Sequence, residues 1–299
     1  MNQNVNTLQK VKMTRQNPPL TELMRLPLWG EDKRALPTSF ARSALFSVGG
    51  KATRRSFEAQ TIASWPGTEI DYTGKELRSD DEDVLMQLFH RARGSAVDAD
   101  QGIEVEFSGF SLLAELEWPT TKAYYEKLRN CLDRMQAGSV RLRMVINGKQ
   151  TTFRGQMIRK YVMALDMGYK SQWKVWIEPE VIKLFSPSYL EIEWSQRKRL
   201  AKPFSKWLHG FMSSESTTGG FTAPEDVLFR LSGSVAASIR TFRASLKESL
   251  EEMRIQAIIF DWKLQDGMLF VAREPGVDIN RAVTAAKQKF ASLKQLEVV

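Results

Sequence analysis

Apolar residues recur at helical spacing in some stretches of this chain and alternate with polar residues in the short runs between them. Residues 57–72 read as two strands, 61–65 and 69–72, flanking the turn pair Pro66-Gly67. Ser79-Asp80-Asp81-Glu82 opens a helix, with Ser79 as N-cap and Glu82 as its capping-box partner. Asp80, Asp81 and Asp83 sit where the helix dipole favours negative charge, and Gly94 ends the helix. Residues 103–107 alternate as a strand, and Ser108 caps a short helix over 110–116. Trp118-Pro119 breaks it. Thr120 or Thr121 then starts a longer helix to about Met135, with Tyr124, Leu128, Cys131, Leu132 and Met135 on its apolar side. Residues 140–146 and 151–157 flank Asn147-Gly148, a strong hairpin signal. A second hairpin, 161–165 with 173–177, and a short helix at 180–185 follow.

The same order then recurs. A helix over 203–212 puts Phe204, Trp207, Leu208 and Phe211 on one side. Thr222 caps a short helix over 224–231, and Ser232-Gly233-Ser234 is a turn. A long helix over 235–253 carries Val235, Ile239, Phe242, Leu246, Leu250 and Met253 as one stripe. Residues 256–263 and 268–273 pair around Gln265-Asp266-Gly267, and 278–296 reads as a terminal helix. Two helices joined by a tight turn and followed by a hairpin make a winged helix-turn-helix. The pattern therefore predicts an α+β fold of two tandem winged helix-turn-helix domains with a disordered N-terminal tail. The expected divisions are a flexible tail at 1–36, a first domain at 37–195, a second at 196–275 and a C-terminal helical tail at 276–299.

Composition narrows the function. The 299 residues and 42% hydrophobic content can bury two cores. Lys and Arg number 43 against 35 acidic residues, for a net charge of +8. That sum hides a contrast: residues 61–116 hold 4 basic and 12 acidic residues, net −8, so the rest of the chain carries +16. A positive surface favours a polyanionic partner, nucleic acid first. One Cys excludes an intramolecular disulfide, and with two His it is too few for a Cys/His zinc site. No P-loop or GxSxG string occurs. A metal-dependent nuclease would need more His. Cys131 lies on an apolar helix side, which suits packing better than nucleophilic chemistry. Absence of a signal-like stretch or an apolar run of about 18 residues predicts a soluble, cytoplasmic protein. The expectation is a binding protein, with neither catalytic residues, cofactor nor bound metal.

Double-stranded DNA is the partner this plan serves, because the second helix of each pair enters the major groove. The first such helix offers Thr120, Thr121, Lys122, Tyr125, Lys127 and Arg129, and the tips of its hairpin offer Arg141, Arg143, Lys149 and Arg154. The second offers Ser234, Ser238, Arg240, Thr241, Arg243 and Lys247. Hydroxyls near a helix start reach phosphates or base edges, and Arg pairs with guanine. The same residues also suit a solvated helix face. A repressor binding palindromic operator DNA is the alternative function.

Particular strings carry a family resemblance. Residues 26–37, Leu-Pro-Leu-Trp-Gly-Glu-Asp-Lys-Arg-Ala-Leu-Pro, and 41–48, Ala-Arg-Ser-Ala-Leu-Phe-Ser-Val, resemble plasmid replication initiators of the TrfA type. So do residues 71–83, Asp-Tyr-Thr-Gly-Lys-Glu-Leu-Arg-Ser-Asp-Asp-Glu-Asp, and Tyr124-Tyr125 with Leu132 and Met135. The resemblance implies tandem winged-helix domains that bind direct repeats, called iterons, in a plasmid origin. It implies melting of adjacent DNA, recruitment of the host helicase and polymerase sliding clamp, and a monomer–dimer equilibrium that sets copy number. The family's clamp-binding peptide is a Gln-Leu-x-Leu-Phe type string. Met86-Gln87-Leu88-Phe89 is close to it in letters but falls in an expected core helix.

Overall fold

Strand β6 (Ile103–Ser108) pairs antiparallel with β10 (Gln172–Ile177), which pairs on its other side with β9 (Ile158–Met163). Ile103, Val105 and Phe107 are buried while Glu104 and Glu106 face water, as a strand covered on one face requires. This is the first sheet of a computed structural model that describes residues 25–50, 53–146, 148–163, 172–215 and 219–279. Helix α2 (Ser79–Ala92) precedes the sheet; α3 (Gly109–Glu115) and α4 (Lys122–Ala137) lie between β6 and β9. The Ser108 hydroxyl caps α3 by accepting from the Ser111 amide at 3.0 Å. Leu128, Cys131, Leu132 and Met135 form the buried side of α4.

The order helix, strand, helix, helix, strand, strand returns further along. Helix α7 (Pro203–Ser213), β12 (Gly220–Pro224), α8 (Glu225–Leu231), α9 (Ile239–Ile255), β13 (Asp261–Gln265) and β14 (Met268–Ala272) follow one another. The sheet order is β12-β14-β13, the counterpart of β6-β10-β9, with the last strand in the middle both times. Two hydrophobic cores form around these units, one gathering residues from Leu26 to Trp194 and the other from Leu200 to Val271. Val48, Ala63 and Trp65 pack against the second core and bind the two together.

One difference separates the repeats. Strands β7 (Ser139–Ile146) and β8 (Lys149–Gly155) are inserted between α4 and β9. They extend β3 (Ser56–Ile62) and β4 (Thr68–Lys75) into a four-stranded sheet, β3-β4-β7-β8. The expected wing of the first domain is thus not in the sheet beside α3 and α4. Burial decides the pairing: Ile70 stands opposite Leu142 and Tyr72 opposite Val140, and all four are buried. The counterpart of the second unit's β13–β14 hairpin is β9–β10, whose connection lies outside the described residues.

The remaining elements tie the ends of the first core. Strand β1 (Lys33–Pro37) pairs with β11 (Tyr189–Glu193), and β2 (Phe46–Ser47) pairs in parallel with β5 (Leu77–Arg78). Helices α1 (Thr38–Ala41), α5 (Pro179–Lys183) and α6 (Trp194–Lys198) are short.

Three expectations need correction. Residues 25–36 are packed structure, not tail: Leu26 and Trp29 are buried, Leu26 N donates to Ser95 O at 3.0 Å, and Trp29 stacks on Phe185. Residues 1–24 of the expected tail, and all of the terminal segment beyond Ile279, lie outside the described residues. The helix read from Val235 starts at Ile239, because Ser238 takes the N-cap, its hydroxyl accepting from the Thr241 amide at 3.2 Å. Val235 and Ile239 are consequently exposed at 58% and 40%, while the stripe from Phe242 to Met253 is buried. In α2 the capping interaction sits one residue early: the Asp81 carboxylate accepts from the Arg78 amide at 2.8 Å. Among the described residues no helix is long and apolar enough to cross a membrane.

Candidate nucleic-acid interface

Helices α4 and α9 occupy the same place in their units, each following a short helix and a loop. On α4, Lys122 and Arg129 are exposed, and Thr120 and Thr121 stand exposed just before its first turn. Lys127 is half-buried, its ammonium 4.0 Å from the centre of the Trp118 ring and 5.7 Å from that of Tyr124. Tyr125 departs from the expected exposed position. Its hydroxyl is buried and its ring lies so close to Gly109 that a Cβ there would be 2.9 Å from it. Tyr125 locks α4 against the start of α3 and does not present its hydroxyl outward.

On α9 and its approach, Ser238, Arg240, Thr241 and Lys247 are exposed and Ser234 is half-buried. The Ser234 hydroxyl accepts from the Ala236 amide at 3.3 Å and shapes the loop. Arg243 is held by α8: its Nε and Nη2 donate to the two carboxylate oxygens of Glu225 at 2.8 and 2.9 Å. That fork raises the affinity of Arg243 for its proton.

The expected hairpin tips also differ from the arrangement found. Lys149 alone flanks the turn, where Gly148 adopts φ +75°. Arg154 is exposed further along β8. Arg141 and Arg143 are mid-strand, opposite acidic residues of β4. Arg141 donates twice to Asp71, at 2.9 and 2.6 Å, and Arg143 donates to Glu69 and, at 3.1 Å, to Asp71. Hydrogen bonds from Arg141 and Thr61 hold the Asp71 carboxyl below its usual range, and Arg143 does the same for Glu69. The positive charge of β7 is therefore compensated at short range. Lys122, Arg129, Lys149, Arg154, Arg240 and Lys247 have no carboxylate partner among the described residues. These six carry the uncompensated field of the candidate interface.

Sequence reasoning did not single out Arg159 and Lys160, both exposed on β9, although Arg159 lies 3.5 Å from the Glu178 carboxylate. Lys160 lies 4.4 Å from the centre of the Trp176 ring. Their signal was hidden because the inserted hairpin took the place of the wing. The acidic start of α2, which the sequence explains by the helix dipole alone, has a further role. Asp81, Glu82 and Asp83 are buried, and Arg54, Arg134, Arg197 and Lys206 neutralise this acidic turn. The string 86–89 is buried as well; Gln87 accepts from Arg34 Nε at 2.6 Å.

The groups a catalytic reading would use are withdrawn. Trp29 Nε1 donates to His90 Nδ1 at 3.2 Å, and burial with nearby Arg34 and Arg93 lowers the His90 pKa to about 4. Burial, with Arg197 and Arg273, lowers that of His209 to about 3. Burial raises the Cys131 thiol well above its ordinary value. Among the described residues no group of three or more His, Cys, Asp or Glu could hold a metal ion.

This architecture is shared with known proteins. Domains 2 and 3 of RctB match it with a TM-score of 0.54 and 14% identity, covering 79% of this chain and 97% of that one. The likeness defines a mixed α+β fold. The Pi initiator protein in complex with iteron DNA aligns with a TM-score of 0.49 and 11% identity, covering 83% of this chain and 100% of that one. The model of the TrfA protein family matches residues 4–273, and the chain belongs to that family. The plasmid replication initiator protein TrfA of Escherichia coli is 25% identical over 250 residues, which cover 82% of this chain. The match spans 63% of that relative's length.

Proposed function

We propose that this protein initiates plasmid replication by binding direct repeats in the origin through α4 and α9. The observation that carries the reading is the repeated unit. In a chain of the TrfA family, the same helix in each copy turns basic residues to solvent, Lys122 and Arg129 in one and Arg240 and Lys247 in the other. Each unit is read as a winged helix-turn-helix, with β9–β10 and β13–β14 as wings. Exposed Lys149 and Arg154 on the inserted hairpin supply further phosphate contacts.

The protein works in this reading by binding energy, with no covalent step. Bending a 20–30 bp site costs about 1–6 kcal/mol. Phosphate contacts from several unpaired cations offset that cost and make binding steeply salt-dependent. The bound form opens adjacent DNA and recruits the host helicase and sliding clamp in the cytoplasm, and an exchange between monomer and dimer limits copy number. Family membership supports these last steps.

Footprinting on the origin of the plasmid that carries the gene tests the proposal. Regular protection of a direct-repeat array is expected. Protection confined to an inverted repeat in a promoter would overturn it in favour of an operator-binding repressor.

A further inference from the structure

Four consecutive acidic residues at the start of α2 join three parts of the molecule. Asp81 faces α4, accepting from Arg134 Nε at 2.9 Å. Its neighbours Glu82 and Asp83 face the other unit. Arg197 of α6 donates through Nη2 to Glu82 Oε2 and through Nε to Asp83 Oδ1, each at 2.6 Å. Lys206 of α7 completes the group on Asp83, and Arg197 Nη1 donates to Lys206 O at 3.0 Å. Arg197 is fully buried at 0% exposure. Helix α7 reaches α9 through Phe204, whose ring is 5.2 Å from that of Phe242.

A second line of contacts fixes the turn between α8 and α9. Val48 N donates to Ser232 O at 2.9 Å. Gly233, at φ +62°, presses so closely on the first unit that a Cβ there would lie 2.8 Å from Ser47 Cβ. The path from α4 to α9 therefore runs through buried ion pairs and close backbone packing. A charge that loses its partner while still shielded from water is strongly destabilised, which disfavours a partly open seam.

We propose that Arg197 is a positioning residue: by clamping α2 to α6 and α7, it fixes the distance and phase between α4 and α9, so that the protein accepts one spacing between the two halves of its DNA site. The inference rests on the proposed DNA reading. A rigid connection concentrates the second binding event at one separation, whereas a loose one spreads it over several.

The test uses the full chain and duplexes carrying the protected repeat with one or two base pairs inserted between its halves. Wild type is expected to lose about a hundredfold in affinity on insertion, the lower end of a lost bivalent advantage. The variant E82Q/D83N/R197M removes the clamp without leaving an unpaired charge among those three residues. Its penalty is expected to fall below about threefold, with binding to each isolated half unchanged. Spin labels at Asn130→Cys and Ser245→Cys, both exposed, give a reading independent of DNA. One narrow interspin distance is expected in the otherwise wild-type protein and a broad distribution when the clamp is removed. Lys206→Met, at a partly exposed position, breaks only the outer pair and is expected to broaden the distribution less. Binding without a spacing penalty, a penalty the triple variant keeps, or equally narrow distances in all three proteins would overturn the inference alone. Failure of wild type to bind any repeat would remove the functional reading and the inference with it.

Discussion

Arg243 of the second candidate recognition helix is gripped from behind by Glu225, which meets its guanidinium with both carboxylate oxygens at 2.8 and 2.9 Å. Glu225 is itself buried, so the pair holds α9 against α8. Arg240, three residues earlier, is exposed with no carboxylate partner among the described residues. The two arginines should behave differently. Arg240→Ala should leave the thermal transition unchanged and weaken specific binding by about 1–3 kcal/mol. Arg243→Ala should lower the melting temperature, because it leaves a buried carboxylate unpaired. Thermal melts beside gel shifts decide it; equal melting temperatures for the two variants would show that the Glu225 fork does not matter.

Lys149 should contribute a charge and no sequence information. It flanks the Gly148 turn in the open. Lys149→Ala should weaken specific and random DNA by the same factor and reduce the slope of log affinity against log salt by about 1. A loss confined to the specific repeat would show that Lys149 reads a base.

The placement of the α9 start makes a stability prediction. Phe242 is fully buried between the rings of Phe204 and Phe229. Phe242→Ala should destabilise the protein by about 3–5 kcal/mol, the cost of a lost aromatic and the cavity it leaves. Val235→Ala, outside the helix and exposed, should stay within about 0.5 kcal/mol of wild type. Chemical denaturation of both variants is the check, and a large cost at Val235 would place the helix start earlier.

Both histidines should make the fold sensitive to acid. Their pKa values in the folded protein are about 4 for His90 and about 3 for His209, below the ordinary value near 6.5. The unfolded chain therefore binds more protons below pH 6.5, and stability falls as the pH drops from there toward 4. Each His contributes a slope of up to about 1.4 kcal/mol per pH unit in that window and nothing above pH 7.5. Urea titrations at pH 7.5, 6 and 5 should show the decline, and His209→Gln should remove part of it. A flat profile across that range would mean that both rings take up protons in the folded protein as readily as in the unfolded chain.

The elements were legible where their signals are local. Ser108 capping α3, the apolar side of α4 and the hairpin at Gly148 all follow from neighbours a few residues apart. The recurrence of helix, helix and hairpin could be read from order alone, but strand β12, in a stretch that reads as a loop and a helix cap, could not. The candidate site was half legible: sequence supplied the exposed basic residues of α4 and α9, but not which of them were already paired. Arg141 and Asp71 are 70 residues apart, and Arg243 and Glu225 are 18 apart, and no local pattern announces either pair.

Charge shows the division most clearly. Sequence alone determined that residues 61–116 are acidic and that the rest of the chain carries the positive excess. It did not determine where the acidic residues go. Only the tertiary structure buried Asp81, Glu82 and Asp83 and set Arg134, Arg197 and Lys206 around them. It also showed that strings 41–48 and 71–83, whose residue choices carry the family resemblance, lie at the junction of the two cores. The physical reason is range. Helix caps, turns and apolar periodicity depend on residues within a turn or two of one another. The pairing of a buried charge depends on which distant segment folding brings beside it, and on a desolvation cost that exists only once water has been excluded.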